Sequence, residues 1–276
     1  MGICDGRVVI VTGAGRGIGR EHALAFAAEG AKVVVNDLDP TPADQTVADI
    51  KAAGGQALAC AGSVTADGFA EKFVKTALDG FGGLDIIINN AGYTWDNVIQ
   101  KMTDEQWHSI LDVHLTAPFK ILRAAADHFR HQSKVEAEAG KEVFRKVVNI
   151  SSIAGTGGNA GQANYSAGKA GIIGLTKALS KEWGRYKVNV NAVAFGMIKT
   201  RLTEATAGGD ASIDVEGRKI KVGVNPDLLA MMERSIPMGR AGTPEEAAGA
   251  AYLFCIPESD YVSGQTVLCT GGLTGI

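Results

Sequence analysis

The sequence predicts a single α/β domain, an open, doubly wound parallel sheet of about seven strands with helices on both faces. Two observations carry that reading. Short apolar runs of strand length, such as RVVIVT at 7–12, AKVVVND at 31–37, LDIIINNAG at 84–92 and VNVNAVA at 188–194, alternate with stretches of helical periodicity. The glycines, 36 in 276 residues, cluster where strands pass into helices and form no low-complexity tract. That length suits one large domain, residues 1–276, better than two.

Composition narrows the function classes. Hydrophobic residues make up 46% of the chain, enough for a substantial core, and the net charge of −3 offers no basic field to a nucleic acid. Cys4, Cys60, Cys255 and Cys269 form no Cys-x-x-Cys pair, so no metal centre is expected, and their scatter suits a reducing cytoplasm. No apolar run approaches the ~18 residues of a membrane span, and the N-terminus lacks a signal-peptide pattern. Neither a membrane partner nor export is expected.

The first strand, 7–12, runs into a turn with Gly13, Gly17 and Gly19 in G-x-x-x-G-x-G spacing, Arg16 and Ile18 lying between them. A helix is read over Glu21–Glu29, stopping at Gly30. The second strand ends at Asp37, followed by Leu38. Strand, glycine turn, helix, strand is the pattern of a Rossmann-type dinucleotide-binding unit. Small residues let the backbone approach a pyrophosphate, and the helix N-terminus offers unpaired N–H groups and a positive dipole end. Asp37 stands where a carboxylate accepts hydrogen bonds from an adenosine ribose. Its charge opposes a 2′-phosphate, so NAD is expected ahead of NADP. Arg16 keeps NADP open, because a guanidinium there can reach a phosphate.

A helix over 41–53 and the strand QALACA lead to Ser63 and Val64, at the expected adenine edge. A helix over 66–80 precedes the fourth strand, which ends in Asn89-Asn90-Ala91-Gly92. The asparagines can tie the strand end to its neighbours, and Ala91-Gly92 can let the backbone pass close to a cofactor. A long helix is read over 104–131, with Pro118 loosening one turn and His114 just before it. Residues 132–146 are charged and read as a solvated extension away from the ligand edge.

The fifth strand, VVNIS, delivers Ser152 to a glycine-rich loop, and a helix over 163–184 then carries Tyr165 and Lys169. Residues at i and i+4 share a helix face, so the ammonium can approach the phenol. A phenol ionises near pH ~10, and a nearby cation lowers that value. Ser152 can bond a substrate oxygen. The trio suits proton transfer to or from a carbonyl or alcohol. After the sixth strand, Phe195–Thr200 reaches the ligand edge, and the mixed stretch 201–240 is a candidate substrate lid. Thr243-Pro244-Glu245-Glu246 opens the last helix, and QTVLCT is the final strand.

Thr12-Gly13-x-x-x-Gly17-Ile18-Gly19, Asn89-Asn90-Ala91-Gly92, Ser152 and Tyr165-x-x-x-Lys169 together resemble the short-chain dehydrogenase/reductase family, in order and spacing from residue 7 to the C-terminus. The resemblance implies a nicotinamide-dependent oxidoreductase, a homotetramer or homodimer. It makes Tyr165 the acid/base, Lys169 the residue that lowers its pKa and holds the nicotinamide ribose, and Ser152 the residue that orients the carbonyl. Ile198 and Thr200 match positions beside the carboxamide end of the cofactor. Two positions depart from the family pattern. His114 stands where an asparagine is usual and is expected to carry the proton relay in altered form. Phe195 replaces a proline at the nicotinamide end. Val-His-Leu at 113–115, with Asp37 and Ser63-Val64, is similar to (3R)-hydroxyacyl-CoA dehydrogenase domains of peroxisomal multifunctional enzymes. The segment around Tyr165 is similar to 3-oxoacyl-ACP reductases. These likenesses imply a 3-hydroxyacyl/3-oxoacyl thioester, acyl-CoA or acyl-ACP, as substrate. A steroid or other alicyclic alcohol dehydrogenase and a non-catalytic NAD-sensing regulator remain open.

Overall fold

The computed structural model describes residues 2–200, 212–221, 223 and 226–273. Seven parallel strands form the sheet: β1 (Val8–Val11), β2 (Lys32–Val35), β3 (Gln56–Ala59), β4 (Ile86–Asn89), β5 (Arg145–Ser152), β6 (Val188–Phe195) and, after a hairpin described below, β9 (Thr266–Cys269). Their order is β3-β2-β1-β4-β5-β6-β9. From β1 the chain winds outward to β3, then crosses back to place β4 beside β1. The switch point of the sheet lies between those two strands, where ligands of such sheets bind outside the carboxyl ends.

Side-chain alternation along the strands divides the core. Val9, Val11, Val33 and Val35 pack on one face with α1 (Gly17–Ala28), α2 (Pro40–Ala52) and α9 (Pro244–Tyr252). Val8, Ile10 and Val34 pack on the other with α3 (Phe69–Phe81) and α5 (Ala117–Glu138). Both faces are covered, so the strands need continuous apolar runs. Thr243 caps α9 in a reciprocal capping box with Glu246, as its sequence predicts.

The long helix expected over 104–131 is three segments. α4 (Asp104–Leu111) passes into a π-helical turn at Asp112–Thr116 and then into α5. Pro118 has no N–H for the His114 carbonyl four residues back, and the Ala117 N–H instead bonds the Asp112 carbonyl, five residues back. The charged run after 131 also departs from a simple solvated extension. α5 continues to Glu138, and the buried Arg145 donates to both Glu136 oxygens at 2.9 and 2.6 Å. Lys146, buried beside it, reaches Asp260 at 2.6 Å. These pairs pin the amino end of β5, two residues earlier than the apolar run suggests.

The glycine-rich loop after β5 includes a short helix, α6 (Ile153–Gly157), before α7 (Ala163–Trp183). Residues 201–211 of the expected lid lie outside the described residues. Its described part forms an antiparallel hairpin, β7 (Ser212–Val215) and β8 (Arg218–Lys221), followed by α8 (Pro226–Ser235). Among the described residues no helix is long and apolar enough to cross a membrane.

Candidate active site

One cleft of about 1590 Å³ runs along the carboxyl edge of the sheet, and every site residue singled out from the sequence lines it. The glycine turn after β1 floors one end. A side chain at Gly19 would overlap the Gly13 carbonyl oxygen, and one at Gly13 would come within 2.9 Å of the Ala91 backbone. Only bare backbone fits there. α1 begins at this turn with no side-chain cap and no acid in its first turn. Gly17, Ile18 and Gly19 of this uncapped helix start line the cleft, as a pyrophosphate site requires.

The surrounding loops are tied to the turn. Thr12 Oγ1 accepts the N–H groups of Asn90 and Ala91 at 2.9 and 3.0 Å. Asn90 Nδ2 donates to the carbonyls of Thr12 and Gly13 at 3.0 and 3.1 Å. The role of Asn90 in binding the strand end to its neighbour is therefore explicit. Asn36, just after β2 and without a motif of its own in the sequence, accepts from the Gly13 N–H at 3.3 Å and donates to the Cys60 and Gly62 carbonyls at 3.0 and 2.9 Å. The Asp37 carboxylate accepts from the N–H groups of Gly15 at 3.0 Å and Asp39 at 3.2 Å. An ionised carboxylate has about four acceptor sites, so Asp37 keeps capacity for a ribose. Leu38 and the Ser63-Val64 step complete the walls of this end. The residues fit an adenine dinucleotide.

At the other end Ser152 closes β5. Its Oγ accepts the Ala154 N–H at 3.2 Å, capping α6, and it also hydrogen-bonds Tyr165. The start of α7 is held by Asn164, whose Nδ2 donates to the carbonyls of Trp95 and Gln106 at 3.2 and 3.1 Å. Lys169 is buried. Its Nζ donates to the Ile150 carbonyl at 2.7 Å and lies 5.6 Å from the Tyr165 ring centroid.

Burial dominates the electrostatics of this pair. Loss of solvent pushes the Tyr165 phenol up to about 12, against the hydrogen bond from Ser152, and Asp96 adds to the rise. The same desolvation pulls Lys169 down to about 7. The lowering of the Tyr165 pKa expected from the i, i+4 lysine is therefore not found. Lys169 is itself desolvated and bonds the Ile150 carbonyl, and burial governs the phenol.

His114, on the π-helical turn, is buried and stands edge-on to Tyr165, ring centroids 5.0 Å apart. A side chain at Gly92 would overlap its ring. Nε2 lies 2.7 Å from the Tyr93 carbonyl oxygen, which can only accept, so Nε2 carries the proton. Burial, with Lys169 nearby, holds the ring well below its usual pKa and hence neutral. With Nε2–H committed to a carbonyl, a relay through both ring nitrogens is closed. Nδ1 is a buried acceptor without a hydrogen-bond partner among the described residues.

Further contributors carry weaker sequence signals. Gln162 Nε2 donates to Asp96 at 2.6 Å, and Asn159 Nδ2 donates to the Gln162 Oε1 at 2.8 Å, joining the loop after β4 to the loop before α7. Ile213, Val215 and Ile220 of the hairpin pack against Tyr93 and Trp95, and Tyr93, Ile213 and Val215 line the cleft. Arg218 locks that hairpin to α4 through Glu105 at 2.8 Å and lies over the Trp95 ring at 5.9 Å. Phe195 ends β6, buried and paired in register with Ser152 and Cys269, and Ile198 forms a bridge with Gly242. Among the described residues no group of three or more His, Cys, Asp or Glu side chains could hold a metal ion.

The chain belongs to the short-chain dehydrogenase family, whose model matches residues 7–210, and it is an oxidoreductase. It is 40% identical to the 3-oxoacyl-[acyl-carrier-protein] reductase of Synechocystis sp. over 97% of this chain and 96% of that protein. It is 44% identical to the mouse peroxisomal multifunctional enzyme type 2 over 69% of this chain, a match that covers 25% of that longer protein. Among solved structures, a dehydrogenase/reductase from Sinorhizobium meliloti superposes with a TM-score of 0.82 at 26% identity, covering 97% of this chain and 95% of that one.

Proposed function

We propose that the protein interconverts the 3-hydroxy and 3-oxo groups of an acyl thioester, carried on CoA or ACP, with NAD(H) as the redox partner. The observation that carries the reading is the convergence of Ser152, Tyr165 and Lys169 at one end of a cleft whose other end is a bare glycine turn. The substrate class rests on the resemblance to the reductases and multifunctional enzymes named above.

A nicotinamide bound in the cleft supplies or takes the hydride. Gly13, Gly17, Ile18 and Gly19 would hold the pyrophosphate, Asp37 and Leu38 the adenosine ribose, and Ser63 and Val64 the adenine. Asn90, Ala91, Gly92, Ile198 and Thr200 would flank the nicotinamide end. In the reductive direction Ser152 fixes the substrate oxygen, and Tyr165, protonated at neutral pH, donates to it as charge builds there. Lys169, poised near neutrality, would hold the nicotinamide ribose and return a proton to the phenolate. His114 fixes the ring edge beside Tyr165 and offers Nδ1 as an acceptor close to Lys169.

The apolar wall of Tyr93, Ile213 and Val215 suits an acyl chain, and the hairpin with α8, the described part of 201–240, would serve as the lid. The thiols, three of the four buried and all unpaired, suit a reducing cytoplasm. Exposed Val267 and Leu268 lie on the edge strand β9, a surface that suits a second copy in a homodimer or homotetramer.

The test is NADH oxidation, followed by absorbance, with a panel of 3-oxoacyl-CoA thioesters against a panel of steroid ketones. Turnover of the thioesters supports the reading. Turnover of steroids alone contradicts the substrate class, and none with any carbonyl favours a regulatory protein.

A further inference from the structure

The adenosine end of the cleft holds a contact that bears on which dinucleotide it takes. Among the described residues lining the cleft, the basic side chains are Arg16, Lys169 and Arg218. Lys169 lies beneath Tyr165, and Arg218 is engaged by Glu105 and Glu216 on the hairpin side. Arg16 alone of these stands at the glycine turn, where a 2′-phosphate would need a cation. Its Nη2 donates to Asp39 Oδ2 at 3.0 Å.

Asp39 is not a loose surface acid. Its Oδ1 accepts the Thr41 N–H at 3.1 Å and caps α2. Its own N–H donates to Asp37 Oδ1 at 3.2 Å, while Asp37 Oδ2 accepts the Gly15 N–H at 3.0 Å. Glycine turn, Asp37, Asp39 and Arg16 thus form one closed circuit. Asp39 is held in place by the helix it caps, and Arg16 is drawn to it.

We infer that Asp39 is a cofactor-specificity residue, which tethers and neutralises Arg16 so that the guanidinium is withheld from a 2′-phosphate. The inference rests on the dinucleotide reading above and extends it. Asp37 disfavours the phosphate by direct repulsion. Asp39 acts one step removed, by occupying the cation that would otherwise reward it. Asp37, Asp39 and Arg16 sum to −1, and a 2′-phosphate meets that net charge together with a spent arginine. Arg16 and Asp39 are each 46% exposed, so the tether is a competitive contact that a strong anion contests, and the expected preference is graded.

Asp39→Asn isolates the effect, because asparagine caps a helix about as well as aspartate and leaves α2 intact. Dissociation constants of NADH and NADPH are measured by fluorescence titration, without substrate, for wild type, Asp39→Asn, Arg16→Gln and the double variant. Wild type is expected to bind NADH more tightly. Asp39→Asn is expected to shift the NADPH-to-NADH affinity ratio toward NADPH by about fivefold to tenfold. Most of that gain is expected to disappear in the double variant, where no guanidinium remains to receive the phosphate. A ratio unmoved by Asp39→Asn, a gain fully kept in the double variant, or a wild type that prefers NADPH overturns the proposal. Binding of neither dinucleotide by wild type overturns the cofactor reading and this proposal with it.

Discussion

Tyr165 and Lys169 are both driven toward their neutral forms by burial, the phenol upward to about 12 and the ammonium downward to about 7. For Lys169 this has a stability consequence. Its folded pKa lies below the unfolded value of ~10.5, so the unfolded chain binds more protons between about pH 7 and 10.5. Stability therefore rises with pH across that window, and near pH 7 the buried lysine costs on the order of 4 kcal/mol. Lys169→Met, which keeps an apolar stem of similar length, is expected to abolish turnover and to stabilise the fold by a few kcal/mol at pH 7. Urea melts should show more than half of that gain lost by about pH 9.5. At this scale Ser152, Tyr165 and Lys169 were legible because each is a reactive side chain at a fixed spacing. Asn36, Asp39, Asp96 and Gln162 were not. Their decisive partners lie up to 66 positions away, Arg16 for Asp39, Cys60 for Asn36 and Gln162 for Asp96, and no local spacing records that grip.

At the scale of elements, α1 carries His22 with its ring fully buried and no hydrogen-bond partner among the described residues for either nitrogen. Burial holds its pKa down to about 3. The unfolded histidine titrates near ~6.5, so the unfolded chain binds the extra proton between those values. The contribution of His22 is intact above about pH 6.5 and is lost as pH falls toward 3. His22→Met is expected to flatten this acid limb in denaturant melts between pH 7 and 4, and to raise stability most at the acid end. A limb of unchanged steepness would contradict the assignment. Pro118 signalled a loosened turn, and the structure resolves it into a π-helical turn that places His114. The hairpin was read as an irregular stretch, although Ile213, Val215 and Ile220 alternate around Glu216-Gly217. Those two residues have φ of 54° and 81°, the left-handed pair that a two-residue hairpin turn needs. A non-glycine residue at the first of these positions, and the charged Arg218, Lys219 and Lys221 around Ile220, hid that signal.

At the scale of the whole molecule, the parallel sheet and its covered faces followed from the alternation of apolar runs with helices. Strand order did not, because it is set by which strand each crossover returns beside. The order leaves β9 at an edge with Val267 and Leu268 45% and 36% exposed, an arrangement that soluble chains cover or charge. Leu268→Lys is expected to shift sedimentation toward a smaller species, whereas a wild-type profile already monomeric would exclude this surface as a subunit contact. The switch point then brings a glycine turn after β1 and a tyrosine at the head of α7 together along one cleft. Under the proposed function these are a dinucleotide site and a proton donor, and mutation separates them. The most direct measurement is Tyr165→Phe, assayed for turnover of a 3-oxoacyl-CoA with NADH and, separately, for NADH binding by fluorescence. The expected result is turnover reduced by about a thousandfold or more with the dissociation constant for NADH little changed. Turnover retained in that variant would contradict the assignment of Tyr165 as the proton donor.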